Sequence, residues 1–106
     1  MKHKVVKKQE NARQCFACGV DNPMGLKAFF YEMDNEELVA IFQPLQEHQS
    51  YPGRLHGGVS AAILDETIGR AVMIREPEMW GVTVELSLKY RKPVPLDVPL
   101  KVVGRI

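Results

Sequence analysis

Apolar and aromatic residues concentrate in two short runs in the first half of the chain, residues 26–33 and 38–42. The four polar residues 34–37 separate these runs, and this pattern predicts a β-hairpin. Residues 43–55 contain two prolines and a glycine, which exclude a regular helix there.

A longer apolar stretch follows at about residues 57–75, where apolar side chains fall on nearly every side of a helical projection. This composition predicts one long helix that is buried inside the fold. The helix should end before Pro77, because the residue preceding a proline is disfavoured in the helical region. Residues 82–90 then alternate between apolar and polar side chains, which predicts a long half-buried strand. Together with a last apolar run at residues 100–106, the order predicts an α+β fold, an antiparallel sheet around one central helix.

The length and charge of the chain narrow the possible functions. With 106 residues the chain fits one domain, and we expect a flexible polar lead-in at 1–14 and a single domain at 15–106. A net charge of +1 gives no reason to expect nucleic acid as the partner. Apolar stretches are shorter than the roughly 20 residues that cross a membrane, so no membrane is expected. The first residues lack the apolar region of a secretory signal, so we expect a cytoplasmic protein.

The start of the predicted helix carries the first candidate chemistry. Gly57 and Gly58 allow close approach of a ligand, and the first helical turn presents unpaired N–H groups. Such a site can stabilise a carbonyl oxygen that gains negative charge during a reaction. The two glycines could also serve only to turn the chain into the helix. His56, just before them, either hydrogen-bonds neighbouring backbone or transfers a proton.

Two adjacent acids lie further along the same helix. A carboxylate inside an apolar helix is costly to bury unless it is paired or functional. Glu66 can pair with Arg70 four residues later, which is a structural explanation for this acid. Asp65 has no basic residue three or four positions away and is therefore the better functional candidate.

Two further motifs have simpler explanations than the chemistry that they resemble. Cys15 and Cys18 have the C-x-x-C spacing of a zinc site or a redox pair. A zinc site needs four ligands and no second pair stands at a suitable spacing, so we expect packing and no metal. Ser60 lacks the second glycine and the preceding strand of a serine nucleophile, which excludes a serine hydrolase.

The His-Gly-Gly at 56–58, followed by Leu-Asp-Glu at 64–66, resembles the signature of the hotdog-fold acyl-CoA thioesterases of the PaaI type. The Tyr-Pro-Gly at 51–53 and the cysteine-containing segment at 15–26 are similar to members of that superfamily. Residues 81–93 resemble the strand that follows the family's helix. The resemblance extends from about Cys15 to the last residue.

This resemblance implies a hotdog fold, in which an antiparallel sheet wraps around one long helix, with active sites at a dimer interface. The protein would then be a homodimer or a dimer of dimers that hydrolyses acyl-CoA without a further cofactor. By the same resemblance, the Gly57 N–H polarises the thioester carbonyl, and Asp65 activates water or attacks directly. Thr83 would be the hydroxyl residue of the opposite subunit that holds the attacking water.

The chain departs from the family pattern in two places. Some relatives have an asparagine six residues before the histidine, where this chain has Ser50 beside Gln49. The family's sheet also continues through two further strands, so we expect either a truncated product or a sheet completed by another chain. The expected substrate-binding residues are Ser50, Gln49, His56, Gly58 and Glu66. A basic stripe, Lys89, Arg91 and Lys92, either meets the phosphates of coenzyme A or is a solvated strand face.

Two alternatives to a thioesterase remain open at this point. A non-catalytic acyl-CoA-binding module or an inactive truncated copy would have the same fold, and the early end of the sequence favours it. A dehydratase or hydratase acting on acyl thioesters would need a histidine and an acid placed differently, and the sequence shows no such pair.

Overall fold

The computed structural model describes residues 3–79 and 81–106, and these form one antiparallel sheet packed against one long helix. The four strands lie side by side in chain order, and the helix crosses three of them. This arrangement confirms the predicted α+β fold class. The elements are β1 (Val5–Lys8), β2 (Phe29–Met33), β3 (Leu38–Phe42), a short 3₁₀ turn (Gln46–His48), α1 (Gly57–Val72) and β4 (Leu100–Gly104).

The predicted hairpin is formed by β2 and β3, with Phe29 opposite Ile41. Its turn is closed by the Met33 N–H, which donates to the Glu37 carbonyl at 2.9 Å. Glu36 adopts a φ of 65°, in the left-handed region that a tight turn requires. The polar residues that separate the two apolar runs therefore form the turn, as the pattern predicted.

Part of the predicted lead-in over residues 1–14 forms a strand, which the sequence pattern did not indicate. Val5–Lys8 is an edge strand that pairs with β2, although residues 1 and 2 lie outside the described residues. All four side chains of β1 are exposed. The segment is held by backbone hydrogen bonds instead, and just after it the Gln9 N–H donates to the Phe30 carbonyl at 2.8 Å. A strand that buries no side chain has no hydrophobic pattern to reveal it.

Helix α1 is buried on one side only, which corrects the prediction of a helix buried all round. Ile63 faces the sheet and is 2% exposed, whereas Leu64 and Ile68 are 36% and 49% exposed. Within the described residues, the single sheet covers one side of the helix and leaves apolar side chains on the other. Among these same residues, no helix has both the length and the apolar character needed to cross a membrane.

The predicted strand at residues 82–90 is not part of the sheet. No described residue between Gly81 and Val98 belongs to a strand, and this segment runs alongside α1 with its side chains largely in solvent. Val82 and Val84 are 90% and 96% exposed. Alternating apolar and polar side chains are typical of a half-buried strand. A strand also needs a neighbouring strand to pair with its backbone N–H and C=O groups. The described part of this chain does not supply that neighbour.

Candidate active site

The first turn of α1 begins at a histidine cap. His56 has extended backbone angles, φ −63° and ψ 135°, and its Nδ1 atom accepts a hydrogen bond from the Gly58 N–H at 2.8 Å. Its own N–H donates to the His48 carbonyl at 2.8 Å. His56 thus holds the junction between loop and helix through neighbouring backbone, and its part in substrate binding stays a prediction.

The N–H of Gly57 is not used by any of the hydrogen bonds among the described residues. It lies at the N-terminus of a 16-residue helix, where the helix dipole favours negative charge. The Gly57 carbonyl accepts a hydrogen bond from the Tyr90 hydroxyl at 2.8 Å. A donor in this position is suited to a developing oxyanion, and the role of Gly57 as that donor stays a prediction.

A pocket of about 440 Å³ opens beside this helix start. It brings together Ser50 from the loop before the helix and two of the three residues of the basic stripe, Arg91 and Lys92. Gln49 and Lys89 are exposed and do not line it. Its other polar or donor-bearing lining residues include Arg54, Gly57, Ser60 and Tyr90.

Sequence reasoning missed two residues of this pocket, Arg54 and Tyr90. Arg54 lies two residues before His56. Its position in the turn just before the helix could have indicated that its side chain lies near the first helical turn. Tyr90 ends the alternating run, and the alternation predicts only a strand residue at this position. A methyl group added at Gly57 would lie 3.5 Å from the Tyr90 ring, which shows how closely the ring covers the first helical turn.

Asp65 forms a hydrogen bond with Thr83, whose hydroxyl donates to the Asp65 Oδ1 atom at 2.5 Å. The family resemblance implied a hydroxyl from the opposite subunit at this position, whereas here Thr83 reaches the aspartate of its own chain. Asp65 is partly exposed, not fully buried as the helical pattern suggested. Among the described residues, no Lys, Arg or His forms an ion pair with it. Its carboxylate is therefore held in place by a neutral donor and is not neutralised by a cation.

An apolar groove of about 500 Å³ begins at Asp65 and Thr83. One wall is the exposed side of α1 and the other is the segment after the helix. Apart from these two polar residues and Glu85, the side chains that line it are apolar: Ile68, Val72, Met79, Val82, Val84 and Leu86. The arrangement places a carboxylate and a hydroxyl at the edge of an apolar surface that fits a hydrocarbon chain.

Gly57 and Asp65 lie eight residues apart on one helix, and the axial rise over that distance is about 12 Å. A reacting carbonyl group needs its oxyanion donor and its base or nucleophile each within about 3 Å. Within one chain, therefore, the two groups cannot act on the same carbonyl.

Glu66 forms an ion pair with Arg70, in which the guanidinium Nε donates to the carboxylate at 2.8 Å. This confirms the structural pairing expected from their spacing. Arg70 is 8% exposed, stacks on Phe30 and also donates to the side chain of Gln9 at 3.2 Å. A part in substrate binding for Glu66 stays a prediction, as it does for Gly58.

Three potential metal ligands lie near this ion pair. The sulfur atoms of Cys15 and Cys18 and a carboxylate oxygen of Glu66 are within 4.8 Å of one another. The guanidinium of Arg70 already contacts two of them, because its Nη2 donates to the Cys18 sulfur at 2.8 Å. A cation that the chain itself supplies thus already contacts two of the three potential ligands.

Comparisons with known proteins give a consistent result. The sequence profile of the Thioesterase superfamily (4HBT) matches residues 52–106. Acyl-coenzyme A thioesterase THEM4 of Rattus norvegicus is 34% identical over 89 residues, covering 83% of this chain and 37% of the rat protein. The protein of the same name in Mus musculus is 33% identical over 89 residues, with the same coverage of 83% and 37%.

A crystal structure of a thioesterase superfamily protein also resembles this fold, with a TM-score of 0.75 and 28% sequence identity. The match covers 88% of this chain and 45% of that one, so the chain spans less than half the length of these relatives. The profile match includes the helix start, Asp65 and Thr83, whose part in a site stays a prediction. The chain belongs to the thioesterase superfamily, and its fold is a hotdog fold.

Proposed function

We propose that this protein hydrolyses acyl-CoA thioesters to a free acid and coenzyme A. The observation that carries the proposal is the environment of Asp65: a carboxylate without a cationic partner among the described residues, hydrogen-bonded to a hydroxyl at the edge of an apolar groove. A carboxylate in this position is available as a base or nucleophile. The relatives named acyl-coenzyme A thioesterase support the substrate class.

Asp65 acts in one of two ways in this proposal. As a general base, it takes a proton from water while the water oxygen attacks the thioester carbonyl carbon. As a nucleophile, it attacks that carbon directly and forms an anhydride that water then hydrolyses. In both routes the carbon–sulfur bond breaks and coenzyme A leaves as a thiol after protonation. Thr83 holds one carboxylate oxygen, and this leaves the other oxygen available for water or substrate.

Gly57 supplies the hydrogen bond that stabilises the carbonyl oxygen. Because Gly57 and Asp65 of one chain are too far apart, the proposed site combines Gly57 of one copy with Asp65 of a second copy. Two helices packed side by side in opposite directions would bring the two groups together. The exposed apolar side chains of Leu64, Ile68 and Val84 support this pairing, since a second copy would cover them.

The basic residues at the helix start complete the substrate site. Arg54, Arg91 and Lys92 line the pocket beside Gly57, and phosphate groups are readily bound by such side chains. We place the phosphates of coenzyme A there and the acyl chain in the apolar groove beside Asp65. The thioester would lie between the two, at the junction of the two copies.

The first test is the Asp65→Asn substitution, assayed by release of free thiol from a panel of acyl-CoAs. We expect turnover to fall by about 10²- to 10⁴-fold, the usual contribution of a general base, while the thermal unfolding midpoint is retained. Asp97→Asn, the same change at an exposed loop residue, is the matched control. Turnover by Asp65→Asn at the wild-type rate would exclude this carboxylate from the reaction. Tight acyl-CoA binding by the wild type without thiol release would instead indicate a binding module.

The pairing of two copies is tested by mixing two inactive variants. Gly57→Pro removes the N–H and adds the ring carbons, and proline is tolerated at the first helical position because His56 already has the extended backbone that precedes proline. Gly57→Ala keeps the N–H and is its control. An equal mixture of Gly57→Pro and Asp65→Asn should regain about a quarter of wild-type activity. About half of all dimers are then heterodimers, and each heterodimer carries one intact site of its two. No recovery after subunit exchange would argue that each site is built within one chain.

A further inference from the structure

The turn that carries Cys15 and Cys18 lies against α1 and has no part in the proposed mechanism. Cys18 is fully buried, with 0% of its surface exposed, whereas Cys15 is partly exposed. Their sulfur atoms lie within 4.8 Å of each other. We propose that these two cysteines are a redox-active pair that forms a reversible intramolecular disulfide by exchange with small-molecule disulfides. This inference does not depend on the proposed hydrolase activity.

The backbone holds the two cysteines at a short and fixed separation. The Gly19 N–H donates to the Cys15 carbonyl at 2.7 Å, which closes one turn around the pair. Residues three apart in such a turn lie on the same side, at a separation suited to a disulfide. A Cβ atom at Gly19 would be 2.4 Å from the Cys15 carbonyl oxygen, so only glycine permits a turn this tight.

The rest of the fold prevents this turn from opening. The Leu26 N–H donates to the Phe16 carbonyl at 2.7 Å, and the Ala28 N–H donates to the Ala17 carbonyl at 3.0 Å. The side chain of Asn11 donates to the Cys18 carbonyl at 2.6 Å. Because these contacts order the turn before any bond forms, closing the disulfide requires little loss of conformational entropy.

The neighbouring Arg70 favours a thiol pair over a metal site. A divalent ion bound by the two sulfurs and Glu66 would lie close to a guanidinium that donates to both Cys18 and Glu66 at 2.8 Å. The three donors would also leave a structural zinc one ligand short of its usual four. A disulfide between the two sulfur atoms, in contrast, places no additional cation beside the Arg70 guanidinium.

The two cysteines differ in a way that sets the order of the reaction. Burial raises the pKa of the Cys18 thiol, and this outweighs the opposing effects of the Ala12 backbone hydrogen bond and of Arg70. Cys18 therefore stays protonated at neutral pH, and the more accessible Cys15 is the thiol that meets an external reagent.

The exchange proceeds in two balanced steps. The Cys15 thiolate attacks one sulfur of a small disulfide, which forms a mixed disulfide and releases one small thiolate. Cys18 then loses its proton and attacks the Cys15 sulfur, which forms the intramolecular bond and releases the second small thiolate. Both cysteines are oxidised, the external disulfide is reduced to two thiols, and the protons of the cysteines pass to the departing thiolates.

The experiment equilibrates the full chain in buffers of graded oxidised and reduced glutathione, followed by acid quenching, alkylation and intact-mass measurement. We expect Cys15 and Cys18 to lose alkylation together, without added glutathione mass, and to regain it with dithiothreitol. Peptide mapping should join the two cysteines. Cys15→Ser and Cys18→Ser should each give only a free thiol or a glutathione adduct. Because Cys18 is buried, Cys15→Ser at the more accessible position keeps the comparison informative if Cys18→Ser fails to fold.

Two results would overturn the proposal. The first is a folded wild-type chain that keeps both thiols, or gains only glutathione adducts, at the most oxidising ratio. The second is retention of one zinc ion per chain when the reduced protein is dialysed against zinc alone and then against buffer, with loss of that ion in Cys15→Ser. That second outcome would identify a metal site at the same residues.

Discussion

Asp65 and Glu66 are neighbours in the sequence but have opposite environments in the structure. Glu66 pairs with Arg70, which is itself nearly buried against Phe30. Asp65, about 100° away round the helix, accepts a hydrogen bond from the Thr83 hydroxyl and lies at the edge of a groove. The chain thus pairs Glu66 with its own cation, whereas no Lys, Arg or His of the described residues forms an ion pair with Asp65. This difference separates the acid that stabilises the fold from the acid available for chemistry.

The apolar residues of α1 divide in the same way. Ile63 is in the core between helix and sheet, whereas Ile68 is 49% exposed on the opposite side. One side of the helix is completed within the chain and the other side presents apolar surface to solvent. We interpret the exposed side as the surface that a second copy covers in the proposed dimer.

The largest effect should come from breaking the ion pair on the buried side. Arg70→Met keeps most of the side-chain volume but leaves Glu66 without its cation, and it should lower the free energy of unfolding by about 3–5 kcal/mol. Arg75→Met is the control, because Arg75 forms an exposed pair with Glu36 whose loss should cost at most about 1 kcal/mol. Urea unfolding measures both. Equal losses in the two variants would show that burial of Arg70 adds nothing to its ion pair.

A smaller effect should distinguish the two apolar sides. Ile63→Ala should lower the free energy of unfolding by about 2–4 kcal/mol, because it leaves a cavity in the core. Ile68→Ala should change the stability of the isolated chain by less than about 1 kcal/mol but weaken self-association. Urea unfolding at low protein concentration and sedimentation velocity separate these effects. Unchanged association in Ile68→Ala would remove this side of the helix from the proposed interface.

The smallest effect concerns the hydroxyl that orients Asp65. Thr83→Val removes the donor while keeping the shape of the side chain, and we expect kcat for thiol release to fall about tenfold, as for the loss of one hydrogen bond to a charged group. Thr83→Ser keeps the hydroxyl and should retain most of the activity. If Thr83→Ser were as impaired as Thr83→Val, the methyl group and not the hydroxyl would be the important part of Thr83.

The sequence patterns predicted those elements whose signal is local. The hairpin of β2 and β3 and the start of α1 follow from short runs of apolar residues, turn formers and glycines. The alternation of residues 82–90 predicts a strand, but pairing depends on a neighbouring strand that no local pattern reveals. For the same reason β1 was missed, since its backbone pairs while its side chains stay exposed.

By itself, the sequence determined which groups could carry chemistry. The glycine pair, the acid eight residues after Gly57 and the i,i+4 partner of Glu66 are set by helical spacing, which acts over a few residues. Only the tertiary structure decided which side chains from distant parts of the chain these groups contact. Arg70 reaches Cys18 across 52 residues, and Thr83 reaches Asp65 across 18. Such contacts arise where the chain folds back on itself, and the periodicity of a short segment contains no information about its distant neighbours.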